Sequence, residues 1–271
     1  MNGSVQCLLQ RSWLLLVPAA LAGCAGMNGS SPVEPQLSQS RSDISESSEG
    51  RNRARVNTEL AALYYERRNF GVALEILRTA VTSDPSYAPA HGVLGLVYMD
   101  LRENVLAQQS FERALRLAPN DADINHNYGW FLCQTGKEDE ATRYFLQAVR
   151  NPLYQTPWKS YSAAGVCALK KDKLKEAAGF FANVLKLEPD EPTALVKMAG
   201  IEYRTGLFDE ARKRLVHYTK VAQADPEGLW LGVRIERKLG DKFSESSYAN
   251  QLRRRFPDSP EAQKMQRGEY D

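Results

Sequence analysis

Residues 128–145 read YGWFLCQTGKEDEATRYF, and the fold is decided there. Gly129 is a small residue inside an apolar run, Gly136 breaks the run, Ala141 opens a second run, and Phe145 follows four residues later. Stepping back by 34 residues finds Ala107 with Phe111, and stepping back again finds Ala73 with Leu77. Stepping forward, a slip of two residues leads to Ala177 with Phe181, and a further 34 to Ala211 with Leu215. Ahead of each alanine a small residue recurs, at Ala61, Gly95, Gly129, Gly165 and Ala199. Proline closes several units at one phase, as Pro85, Pro119, Pro189 and Pro257. Glycine inside a helix costs up to about 1 kcal/mol relative to alanine. Its return at this phase therefore means that close helix packing sets the position. The large side chain four residues after the alanine fills the hole beside the crossing.

A helix–turn–helix unit repeating every 34 residues resembles the tetratricopeptide (TPR) pattern. The predicted fold class is all-α, an α-α superhelix (TPR solenoid) of six repeats plus a C-terminal capping helix. The units are placed at 54–87, 88–121, 122–155, 158–191, 192–225 and 226–259, with Thr156 and Pro157 as the slip. Leu60, Ala61 and Tyr64 are expected on the inner face of the first helix. The sixth unit is weaker, because Glu245 sits where alanine is expected. Ser259, Pro260 and Glu261 read as the cap, first-turn proline and first-turn acid of a final helix within 260–271. Such a helix would cover the open end of the stack.

The chain has 271 residues with 35 basic and 33 acidic side chains, a net charge of +2. That balance gives no electrostatic case for nucleic acid or for a polybasic membrane surface. Arg11 precedes an apolar run, WLLLVPAALA at 13–22. The run is too short to span a bilayer, which takes about 20 residues, and fits the core of a secretory signal. Leu21-Ala22-Gly23-Cys24 follows at once and resembles the lipobox of bacterial lipoproteins. This resemblance implies a signal peptide over 1–23, with Cys24 carrying diacylglycerol and an N-acyl chain. Ala25, rather than aspartate, points to outer-membrane sorting. Residues 24–53 read as a disordered, Ser-rich tether, since they hold few large apolar groups to bury.

In such a stack the first helices line a concave face. Repeat phase puts Tyr65, Leu96, Met99, Trp130, Tyr203 and Trp230 on it, with acids toward the N-terminal half and bases toward the C-terminal half. Aromatics of this kind anchor protein partners. The competing reading is that they pack between neighbouring helices. Cys133 and Cys167 fall on the first helices of neighbouring units, 34 residues apart, where either a disulfide or two buried thiols would fit. His91, His126 and His217 lie far apart in phase and suggest no metal site. No phosphate loop, HExxH, GxSxG or paired-carboxylate signature occurs, so no enzymatic activity and no small-molecule substrate is expected.

Asn127-Tyr128-Gly129-Trp130-Phe131-Leu132-Cys133, then Gly136 and Glu140-Ala141, is similar to the third repeat of the PilF/PilW family. Ala164 to Leu169, followed by Lys175-Glu176-Ala177 and Phe180-Phe181, extends the likeness. These are type IV pilus biogenesis lipoproteins, the secretin pilotins. The resemblance implies a monomeric outer-membrane lipoprotein on the inner leaflet, facing the periplasm. It would bind secretin subunits, promote their delivery and multimerisation, and support twitching motility. It implies no cofactor beyond the acyl groups on Cys24. Two other readings stand beside it: a periplasmic TPR scaffold for peptidoglycan or barrel-assembly enzymes, and a catalytic or carrier protein using Cys133 or Cys167 as a reactive thiol.

Overall fold

The structure, a computed structural model, describes residues 37–270, with side chains from Ser48 onward. Cys24 and the lipobox lie outside the described residues, as does the part of the tether before residue 37. Among the described residues there are thirteen helices and no strands. They run as antiparallel pairs: α1 (Leu37–Glu66) with α2 (Phe70–Ser83), α3 (Ala88–Asp100) with α4 (Asn104–Leu117), and α5 (Ala122–Gln134) with α6 (Glu138–Val149). Next come α7 (Pro157–Lys170) with α8 (Leu174–Leu187), α9 (Pro192–Arg204) with α10 (Phe208–Val221), and α11 (Pro226–Leu239) with α12 (Lys242–Arg255). A last helix, α13 (Pro260–Arg267), packs on α11 and α12. The all-α solenoid expected from the alanine beat is the fold observed.

The beat is a packing code. Ala73, Ala107, Ala141, Ala177 and Ala211 are fully buried, and so are Leu77, Phe111, Phe145 and Phe181, with Leu215 almost so. A Cβ placed on Gly95 would lie 2.7 Å from the Phe111 ring, on Gly129 2.9 Å from Phe145, and on Gly165 2.8 Å from Phe181. Each glycine is therefore a socket for the ring that comes sixteen residues later. The helix-to-helix corners share a phase too: Arg68, Arg102, Gly136, Asp172, Gly206 and Gly240 all have positive φ. Glycine takes that conformation without strain, whereas Arg68, Arg102 and Asp172 adopt it against their Cβ.

Three expectations are corrected. Residues 37–53 are helical, not a disordered tether. The reason lies at the far end of α2: Gly50 abuts the Ser83 carbonyl so closely that a Cβ would sit 2.7 Å from it. Arg51 pairs with Asp84 at 3.7 Å and lies 5.7 Å from the Tyr87 ring centre. These contacts hold the chain in helix ahead of the repeat boundary. Leu60 does not face inward; it is 40% exposed, because among the described residues no earlier unit covers that side of α1. In the sixth unit the packing pair is Gly232 with Tyr248, a Cβ on Gly232 falling 2.7 Å from the ring. That is 33 residues after Ala199 and Leu215 (232 − 199 and 248 − 215). The register thus slips by one, and Ser244, not Glu245, stands at the alanine position. Glu245 is freed to bridge Arg237 at 3.0 Å and Lys242 at 2.9 Å.

Candidate protein-docking surface

The first helices of successive pairs place the six phase-selected residues in two separate clusters. In the N-terminal cluster Tyr65, on α1, is half-buried, with its ring 6.0 Å from Phe70. Its phenol is pushed up to about 12, first by burial and then by the charge and hydrogen bond of Asp100 on α3. Leu96 and Met99 on α3 and Trp130 on α5 are also half-buried, packed against the core that holds Phe111, Phe131 and Phe145. Met99 and Trp130 line one cavity of about 380 Å³ with Arg68, Asp100, Arg102 and Gln134. Leu96 packs into the core and is not part of the cavity wall.

Tyr203 and Trp230, expected as open aromatics, are 8% and 6% exposed and belong to the core of the last units. The residues that cover them are informative. Arg234 lies 4.4 Å from the centre of the Tyr203 ring, and the Phe208 ring packs against it with centres 5.5 Å apart. Tyr270, beyond α13, brings its ring 5.3 Å from Trp230. Their remaining edges line a second cavity of about 290 Å³ with Lys197, Arg204, Arg234 and Glu227. Repeat phase could not find Tyr270 or its partner Arg237, because the contact comes from a segment that follows the last repeat.

Between the clusters Cys133 and Cys167 form a disulfide, with Cα atoms 5.9 Å apart. Both side chains are buried, so neither is a free nucleophile. About two helical turns away, His126 Nδ1 lies 2.9 Å from Ser160 Oγ, whose hydroxyl donates to Tyr154 Oη at 3.2 Å. Burial, and then the nearby Lys159 ammonium, push the His126 imidazole down to about 4, so it is neutral at pH 7. Ser160 is fully buried and the neutral histidine is its hydrogen-bond partner, which makes the pair an inter-unit tie. Among the described residues no group of three His, Cys, Asp or Glu side chains could hold a metal, and no helix is long and apolar enough to cross a membrane.

The geometry is that of a stacked-helix wall with a cavity beside each aromatic cluster and a covalent tie between the clusters. A family model described as "Cytochrome c-type biogenesis protein H TPR domain" matches residues 37–195, and one described as "Tetratricopeptide repeat" matches 168–229. The type IV pilus assembly protein PilF of Pseudomonas aeruginosa is 28% identical over 254 residues, 93% of this chain and 96% of that protein. A solved structure of P. aeruginosa PilF superposes with a TM-score of 0.74 at 28% identity, covering 82% of this chain and 99% of the other. The crystal structure of PilW, described as a widely conserved type IV pilus biogenesis factor, gives a TM-score of 0.72 at 30% identity. It covers 78% of this chain and 97% of PilW.

Proposed function

Because the chain belongs to the family of the cytochrome c-type biogenesis protein H TPR domain and, along 93% of its length, to the PilF/PilW type IV pilus TPR proteins, we propose that it is a secretin pilotin. In this reading Cys24 is lipidated and holds the protein on the inner leaflet of the outer membrane. The helix wall binds type IV pilus secretin subunits, and the anchor carries them to the membrane where they multimerise. The work is binding and tethering, with no covalent chemistry and no cofactor beyond the acyl groups. The observation that carries the proposal is the near-complete coverage of the PilF and PilW structures by this chain.

The test is deletion of the gene, followed by blotting of unheated outer membranes for secretin multimers and an assay of twitching. The expected outcome is loss of multimers and of motility, both restored by the intact chain. Unchanged multimers at the outer membrane would exclude the proposal. A pull-down recovering peptidoglycan or barrel-assembly enzymes, and no secretin, would move the reading to an envelope scaffold.

A further inference from the structure

The C-terminal end of the wall carries a second, more specific message. The 290 Å³ cavity beside Trp230 shares Tyr203 and Arg234 with a neighbouring one of about 430 Å³, whose lining Arg237, Lys238, Gly268 and Tyr270 complete. Six cations line the two: Lys197, Arg204, Arg234, Arg237, Lys238 and Lys264, against the carboxylates of Glu227 and Glu261. Some of this charge is matched locally, Lys197 by Glu227 at 2.6 Å, Arg204 by Asp172, and Arg237 by Glu245. Arg234 is different: among the described residues it meets no carboxylate. Its guanidinium lies over the Tyr203 ring, and its Nε donates to the main-chain carbonyl of Tyr270 at 3.1 Å. The Tyr270 ring is held between Trp230 and Arg237, whose guanidinium is 3.9 Å from the ring centre.

The chain thus seats one of its own residues where a peptide would sit, and the seat defines what it accepts: an aromatic ring against Trp230 and Arg237, and a main-chain carbonyl on Arg234. The surrounding excess of cations favours acidic neighbours on either side of that ring, since arginine forks pair carboxylates in two-pronged geometry. We infer that this basic, aromatic pocket is a docking site for an acidic segment of a partner protein carrying an aromatic side chain, which enters by displacing Tyr270. The inference deepens the docking proposed above by naming the ligand chemistry at one end of the wall, and rests on that reading only for the choice of partner.

The experiment is fluorescence anisotropy of the purified full chain with a labelled short peptide of aspartate and glutamate around one tyrosine. A lysine peptide around the same tyrosine is the control. The acidic peptide is expected to bind at least about tenfold more tightly than the control, and to weaken as salt rises. Arg234→Glu should weaken it by about tenfold, and Tyr270→Ala should strengthen it by about tenfold, because the internal ring no longer competes. Equal affinity for the two peptides, no response to Arg234→Glu, or weaker binding by Tyr270→Ala would each overturn the inference. Should Arg234→Glu fail to fold by circular dichroism, Arg237→Gln replaces it, with the same weakening expected. Secretin multimers that depend on the protein yet ignore a folded Arg234→Glu would overturn the pocket and leave the pilotin reading intact. Peptide binding with multimers unchanged in the deletion strain would do the reverse.

Discussion

At the scale of single residues, the glycines divide by what their missing Cβ would meet. Gly129 faces Phe145 at 2.9 Å and the Ala141 carbonyl oxygen at 3.2 Å, so a methyl group must displace both a ring and backbone. Gly129→Ala should destabilise the protein by about 1–3 kcal/mol. Gly179, on the exposed side of α8, meets nothing within 4 Å, and Gly179→Ala should stabilise by up to about 1 kcal/mol. Urea midpoints of the two variants settle the matter; shifts of the same sign would mean that the ring-and-socket account of the repeat is wrong. This level was the most legible in the sequence. Both partners of each pair recur at fixed phase, so Gly95, Gly129 and Gly165 announce the rings of Phe111, Phe145 and Phe181. The exception was Tyr248 with Gly232. A slip of one residue inside a helix leaves the turn glycine Gly240 on the beat, 34 residues after Gly206, so the turn spacing conceals it.

Between elements, the α5–α7 junction is tied twice, by the disulfide and by the His126–Ser160–Tyr154 chain. Closing a loop of 34 residues accounts for roughly 3–4 kcal/mol in the chain-entropy picture. The histidine makes a pH-dependent contribution whose sign follows from its direction of shift. Its folded value, about 4, lies below the ordinary value of about 6.5, so in that interval the unfolded chain binds the extra proton. Stability is therefore full above about pH 6.5 and is lost as pH falls toward 4, by up to roughly 3 kcal/mol. Denaturation midpoints of wild type and His126→Gln between pH 7 and 4 test this. The wild type should lose more than the variant across the interval, and parallel curves would discard the tie. The sequence placed Cys133 and Cys167 at nearly the same phase of adjoining units but left bridge and free thiols both open. It gave no sign of the histidine network, because Tyr154 and Ser160 flank the two-residue slip, where the spacing departs from the alanine beat.

For the molecule as a whole, solenoid and unit order were readable because every unit repeats the same packing solution. The final helix was readable too, from the Ser259 cap, Pro260 and Glu261, but the contacts that finish each end were not, since they come from segments outside the repeat. At one end Gly50 and Arg51 extend α1 backward onto the α2–α3 corner; at the other Tyr270 closes over Trp230. The same limit explains the buried Tyr203 and Trp230, whose phase gave their helix face but not their cover. The proposed division of labour between grip and tether also belongs to this scale. Cys24→Ala should release the protein from outer membranes and reduce secretin multimers there, while leaving the affinity of the purified protein for secretin subunits within about twofold of wild type, a change worth less than RT. Multimers delivered normally by the released protein would show that the anchor is dispensable. The disulfide has a mechanical corollary. It lies between the Met99–Trp130 cavity and the Tyr203–Trp230 cavity, and it forbids the third and fourth units from sliding past each other. Flexing of the coil is left to the junctions on either side, so a guest long enough to touch both cavities meets a ruler with a rigid midsection, and its own length becomes part of what is recognised.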